Sequence, residues 1–214
     1  MCGRMTLTES SLARVADELA ATLEPAAAAL YRPRYNIAPS DQHWVVVAVP
    51  SGRLIVPARW GFGEGKPLIN ARSETAARRG PLGRAFAERR CVVPADGFYE
   101  WTGPKSARQP LWFHRADGGL IYLAGLWAPG ADGQPAFTVL TTEANELIAK
   151  VHDRMPVLLA PAAAADWLAR PAQELLVPAP ESLLVVQAVS PRVNSVRNDD
   201  PALLVEQAGQ LDLL

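Results

Sequence analysis

The second residue of the chain is a cysteine. A small second side chain favours removal of Met1, which would leave Cys2 with a free α-amine beside its thiol. Such an amine titrates near ~7.7–8.0, against about 10.4 for lysine. A useful fraction is therefore neutral and nucleophilic at neutral pH. It can condense with an aldehyde to an imine, as lysine does in Schiff-base enzymes. The thiol of the same residue can then add to the imine carbon and close a five-membered thiazolidine. That second step is intramolecular, so its effective molarity is high. A lysine imine has no such trap. The plain alternative is a small buried residue close to the start. Gly3 permits close backbone approach, and Arg4 sets a cation beside the nucleophile, which depresses a thiol pKa.

Three further segments carry chemistry that could serve such a nucleophile. In Ile69–Glu74 (INARSE), Asn70 can donate and accept hydrogen bonds, and Arg72 would share its face in an extended stretch. In Val92–Trp101 (VVPADGFYEW), Glu100 sits among aromatics. A carboxyl desolvated there has a raised pKa and suits a general acid or base. In Val151–Pro156 (VHDRMP), His152 could shuttle protons near neutral pH. Each has a structural alternative: a solvated loop, an outward glutamate, and a histidine held by helix-end carbonyls. His43 and His114 lack such company, and Cys91 on an apolar strand reads as a buried structural thiol.

These residues need elements to hold them. Leu12, Val15, Leu19 and Leu23 recur at helical spacing behind Thr8, which predicts a helix over 9–23 with Thr8 as N-cap. Tyr31–Ser40 reads as an extended loop. Trp44–Val49 and Leu54–Trp60 read as antiparallel partners, and Gly61–Pro67 as a glycine-rich loop. Cys91–Val93 and Phe98–Trp101 flank the turn Pro94–Gly97. Leu111–Arg115 and Leu120–Trp127 flank Asp117–Gly118–Gly119, a hairpin signal. Pro135–Thr142 and Leu183–Val189 are further strands. Glu143–Val151, Asp166–Arg170 and Gln173–Leu176 are short helical pieces, and His152–Leu159 is extended. Short turns join many strands, and long βαβ crossovers are absent. The expected fold is α+β: a mainly antiparallel, partly closed sheet or barrel with peripheral helices, in a single domain over 1–214.

The chain has 214 residues, 49% of them hydrophobic and 20% charged, which fits one globular core. No apolar run reaches membrane-spanning length, and no targeting segment is evident, so no membrane partner is expected. Two cysteines are too few for a disulfide framework, which makes a cytoplasmic location the expectation. The histidines and cysteines show no metal-ligand spacing, so neither metal nor cofactor is expected. Net charge is −1, but residues 1–110 carry +5 and residues 111–214 carry −6. Of 21 basic residues 18 are arginine, the side chain better suited to gripping phosphate. A basic face would come mainly from the first half.

Taken in order, Met1–Arg4 (MCGR), Tyr35–Pro39 (YNIAP), Arg59–Gly61 (RWG), Asn70–Thr75 (NARSET), Arg89–Trp101 (RRCVVPADGFYEW), Ala124–Trp127 (AGLW), Thr141–Glu146 (TTEANE) and His152–Pro156 (HDRMP) resemble the SOS response-associated peptidase family. Val193–Asn194 is a weaker late match. The family senses abasic sites in DNA, with a preference for single strands and single-strand/double-strand junctions. The resemblance implies that Cys2 is the covalent nucleophile and that Asn70, Glu100 and His152 complete the catalytic set. It implies DNA contacts from Arg4, Asn36, Trp60, Arg72 and Arg154, with Trp60 stacking on a base. It implies a monomeric DNA-repair enzyme of the SOS response, nucleoid-associated when bound to damage. Its product would be a thiazolidine crosslink, with autoproteolysis as a linked hydrolase activity. One departure is the short Phe62–Ile69 segment, where members usually carry a longer one, often with a second tryptophan.

Three other functions share parts of this pattern. Glutamine amidotransferases also begin Met-Cys-Gly, but Arg4 replaces their usual small apolar residue. A non-catalytic single-strand DNA-binding module would use the arginines and not Cys2. A peptidase acting on other proteins would need a substrate cleft with no recognisable signature here.

Overall fold

The computed structural model describes residues 3–63, 67–78, 80–104, 106–130 and 133–206. The first half contains β1 (Met5–Leu7), α1 (Ala13–Glu18), α2 (Pro25–Leu30), β2 (Arg34–Ile37), β3 (Gln42–Val49), β4 (Gly52–Trp60), β5 (Asn70–Arg72), α3 (Ser73–Ala76), α4 (Gly80–Glu88), β6 (Arg90–Ala95) and β7 (Gly97–Thr102). The second half contains β8 (Gln109–Arg115), β9 (Ile121–Pro129), β10 (Pro135–Glu143), α5 (Glu146–Ala149), β11 (Arg154–Pro156), β12 (Leu158–Leu159), α6 (Pro161–Ala169) and β13 (Leu184–Ala188).

The strands form two sheets. One is open, in the order β13-β8-β7-β1-β2. In the other, β10, β4, β3, β6 and β9 follow one another, and β9 pairs back onto β10 to close a ring. β5 and β11 extend the flanks of β10, and β12 is added to β9. The pairings are antiparallel except where β10 runs parallel to β4 and β5. The expected mainly antiparallel, partly closed α+β architecture with peripheral helices is observed, with the strands divided between an open sheet and a ring-like one. β3, with its valine-rich centre buried on both faces, runs through the middle of the ring.

Local expectations fared unevenly. β3 and β4 pair over their full length, Gln42↔Arg59 to Val49↔Gly52. The helix expected over 9–23 shrinks to α1. Leu12, Val15 and Leu19 are all buried as their spacing required, but Ala20 takes φ 45° and Thr22 bridges to Leu54, so the chain leaves the helix early. Thr8 does not cap it, because its backbone N–H and hydroxyl go to Asp96. Tyr31–Ser40 contains β2, and Pro25–Leu30 is a helix the apolar pattern did not announce.

The hairpin expected around Asp117–Gly119 is overturned. The turn forms, with Gly118 N–H donating to Arg115 O, but β8 pairs with β7 and β13 while β9 belongs to the ring. The same crossing occurs at Asp96. β6 lies in the ring and β7 in the open sheet, so the turn at 94–97 is a corner between sheets. Asp96 fixes it by accepting from Thr6 and Thr8. Gly97 starts β7 with Trp112 lying across it. A Cβ there would come within 2.1 Å of Trp112 Nε1, so no larger residue fits.

Candidate functional site

The corner at Asp96 brings the start of the chain against β7. Met5 pairs with Phe98 and Thr6 with Gly97, and Tyr99 N–H donates to Arg4 O at 3.0 Å. Continuing this antiparallel register sets Gly3 opposite Glu100. Cys2 lies outside the described residues and is the covalent neighbour of Gly3.

Strand alternation divides β7 into two faces. Phe98 belongs to the main core cluster, and Glu100, two residues on, lies on the same face. Glu100 is 4% exposed. Burial pushes its carboxyl above the ordinary carboxylate range, His152 pulls it back down, and Asp153 pushes it up. Glu100 and His152 thus fall within electrostatic reach of each other, although one lies on β7 and the other between α5 and β11.

His152 follows α5, and its N–H donates to Ile148 O at 2.8 Å as in a helix end. Its Nδ1 lies 2.9 Å from the Arg154 backbone N–H and 2.8 Å from Asp153 Oδ1. One ring nitrogen can serve only one of these at a time. The backbone donor is fixed, whereas the Asp153 side chain is 79% exposed and can turn away. The neutral ring therefore accepts from Arg154 through Nδ1 and carries its proton on Nε2. On protonation Nδ1 turns donor, and Asp153 is in place to receive it.

Asn70 opens β5, opposite Val139 of β10, and is buried at 5%. Arg72 ends the same strand and reaches solvent. The segment is tied to His152 across the end of β10. Arg154 donates to both Glu74 oxygens at 2.6 and 2.9 Å and to Thr141 O at 2.6 Å. This bidentate fork lowers the Glu74 carboxyl pKa. Arg154, 8% exposed, is thus a tie between two site segments and not an open phosphate ligand.

Two other expected DNA contacts are corrected. Trp60 is fully buried, its indole N–H donates to Ile69 O at 2.9 Å, and its ring stacks on Phe137 at 6.2 Å. It offers no face to a base; its bulk fills the ring and its N–H fixes the approach to Asn70. Asn36 is also fully buried. Its amide donates to the carbonyls of Val193, Ser195 and Asn198, and its Oδ1 accepts from Arg4 at 2.7 Å. It staples the 193–198 loop beneath Arg4.

The outer face of β7 carries the surface counterpart. A cleft of about 930 Å³ is lined by Gly3, Arg4, Pro39, Trp101, Arg108 and Asn194, among others. Arg4 Cζ stands 5.8 Å from the Trp101 ring centroid, and the Trp101 indole donates to Asn194 Oδ1 at 2.7 Å. Trp101 and Arg108 were missed as binding candidates. The signal available was period-two alternation after Glu100, which turns Trp101 outward. Cys91 is fully buried and burial raises its thiol pKa, matching the structural role expected of it. His43 is buried with Nε2 on Pro94 O at 2.8 Å, a core histidine.

The sequence profile of the SOS response associated peptidase (SRAP) family matches residues 1–196. The Abasic site processing protein YoqW of Bacillus subtilis is 33% identical over 195 residues, covering 81% of this chain and 86% of that protein. The Abasic site processing protein HMCES of Gallus gallus is 33% identical over 228 residues, covering 82% of this chain and 66% of that protein. A crystal structure from Bacteroides thetaiotaomicron superposes with a TM-score of 0.81, covering 96% of this chain and 100% of that one; at 17% identity it speaks for the fold alone. With the profile spanning nearly the whole chain, this protein belongs to the SRAP family.

Proposed function

We propose that this protein recognises abasic sites in single-stranded DNA and captures them covalently through Cys2. The observation that carries the reading is the buried Glu100, its carboxyl held toward the protonated form, opposite Gly3 and within reach of His152. The names of the relatives supply the substrate: both are abasic site processing proteins.

The chemistry balances without redox or cofactor. The closed deoxyribose opens to its C1′ aldehyde. The Cys2 amine attacks C1′ and the carbonyl oxygen takes a proton, giving a carbinolamine. Protonated Glu100 delivers a proton to the departing hydroxyl, one water leaves, and the imine forms. The Cys2 thiol then adds to C1′, its proton passing to nitrogen, and the thiazolidine closes. His152 carries protons between these atoms, with Asp153 compensating its charge. Asn70 orients the amine and the sugar. Arg4 and Arg72 hold flanking phosphates, and Trp101 takes the base-stacking role that the burial of Trp60 leaves open. Asn36 and Arg154 act one step back, by positioning Arg4 and His152.

A peptidase activity fits the same site as hydrolysis of the Met1–Cys2 bond, which consumes one water and frees the amine. The protein would act as a monomer in the cytoplasm, on the nucleoid.

Uracil-containing single-stranded DNA treated with uracil-DNA glycosylase should give a band that survives heat and detergent, and untreated DNA should not. Cys2→Ser should leave only a reversible imine, because oxygen closes a less stable ring. A form that retains Met1 should give no stable band. A stable band from Cys2→Ala would sink the proposal.

A further inference from the structure

The positive charge of the first half is not spent evenly. Arg14 pairs with Glu9 and Glu18, Arg34 with Asp41 and Asp199, and Arg90 with three or more carbonyls of α4 and α6. In the second half Arg115, Arg154, Arg170 and Arg192 all hold acids. Among the described residues Arg32, Arg59, Arg108 and Arg197 stand apart along the chain without such partners, whereas several arginines without them follow one another between Arg72 and Arg89. Arg72, Arg78, Arg84 and Arg89 are all described, and none of them makes a side-chain hydrogen bond or ion pair.

Arg84, on α4, and Arg89, just after it, line a cleft of about 580 Å³ together with Phe62, Pro81 and Pro129. Of the described residues that line it, none is acidic. Glu88 stands four residues after Arg84, the usual spacing for a helical ion pair, yet the two do not pair. The helix cannot roll to hide its arginines. Leu82, Ala85 and Phe86 are buried, and Phe86 meets Trp167 edge-on at 5.4 Å. Two guanidiniums thus line an open cleft whose described lining residues include no acid.

We propose that this cleft is a second anchoring site for single-stranded DNA. It takes the phosphodiester backbone of the strand that has left Asn70 past Arg72 and Arg78. Arg72 ends β5, Arg78 follows α3, Arg84 lies on α4 and Arg89 comes just after it, so these described arginines succeed one another along the chain between Asn70 and the cleft. Guanidinium forks match phosphate geometry, and each phosphate neutralised releases counterions. The inference rests on the reading that this protein binds single strands, but not on the capture chemistry.

The test measures reversible binding of the full chain to undamaged oligothymidine, lengthened one nucleotide at a time, by fluorescence anisotropy across a salt series. The wild type should gain affinity in two steps, the second when the strand reaches the cleft. Arg84→Gln with Arg89→Gln should erase the second step and lower the salt slope by about 1.4, at about 0.7 per single-strand phosphate. Binding of short strands should not change. Glutamine is close to arginine in helix propensity, and Arg84→Lys with Arg89→Lys should restore most of the second step if charge is what matters. Superimposable length curves for wild type and the glutamine pair overturn the proposal. So does a cleft that inorganic pyrophosphate saturates while the length curve stays single-stepped, which makes it a small-anion pocket. Absence of adduct on abasic DNA with both steps intact would sink the capture reading and leave this site standing.

Discussion

In the closed ring β10-β4-β3-β6-β9 every strand is paired on both edges, whereas the open sheet ends on β2 and β13. The contrast extends to their side chains. The ring encloses Trp60, Phe137, Cys91 and a neutral His43, all buried. The open sheet holds Glu100 on its inner face and displays Arg4 and Trp101 on its outer face. A closed sheet has no edge at which a substrate could enter or a strand could slip. The groups proposed to react lie where the open sheet meets the ring: β7 brings Glu100, β5 opens with Asn70, and the segment between α5 and β11 brings His152. With the proposed function, this is a division of labour in which stability rests on the ring and the proposed chemistry on the seam.

The largest effect should come from comparing two tryptophans. Trp60→Ala empties a fully buried site in the ring and should cost about 3–5 kcal/mol. Trp101→Ala, on the half-buried outer face, should cost under about 1 kcal/mol but weaken single-strand binding. Urea unfolding of both variants measures this, and equal losses would break the contrast.

Acid should strike the ring next. Burial lowers the His43 pKa from 6.5 to about 4. A histidine buried neutral contributes stability above its unfolded pKa, and that contribution is lost as pH falls from 6.5 through about 4. At ~1.36 kcal/mol per pH unit the loss approaches about 3 kcal/mol. His43→Gln should flatten this part of the stability–pH curve. An unchanged curve would show that the ring is not where acid acts.

Arg154→Met tests the tie across the seam. It removes the bonds to Glu74 and Thr141 and should cost about 2 kcal/mol, moderated because Glu74 is half exposed. Capture should slow further than the stability loss explains, because His152 accepts from the Arg154 backbone. A rate that tracks stability alone would demote the tie to a structural one.

Glu100→Gln should have the smallest effect on stability and a large one on rate. The raised pKa of a buried carboxyl makes its ionised form unfavourable in the fold. The stability it contributes is present below the ordinary 4.5 and is lost as pH rises through the folded value. The glutamine variant should therefore match or exceed the wild type at neutral pH, and the difference should close in acid. Slower capture with intact folding would sharpen the contrast between ring and seam, while unfolding would give Glu100 a structural role.

Much of the site could be read directly from residue types. With Met1 removed, Cys2 would carry amine and thiol on one residue, so its proposed chemistry needs no partner to be recognised. Glu100 among Phe98, Tyr99 and Trp101 implied desolvation, and the carboxyl is buried. Strands were legible where they alternate or run apolar, as in β3 and β4. What local pattern could not reveal was pairing across the molecule. The Asp117–Gly119 turn has the residues of a hairpin, yet its two strands go to different sheets, β8 pairing with β7 and β9 with β6.

The amino-acid sequence by itself determined the candidate reactive groups, the family, the apolar strands and the arginine excess, since each is a property of residue identity or short-range order. Only the tertiary structure decided which of those groups are available. Trp60 and Asn36 disappear into the interior, Arg154 is consumed by Glu74, and Trp101, Arg84 and Arg89 remain open. Exposure and pairing depend on which distant strands meet, and that is settled by packing, not by neighbours along the chain.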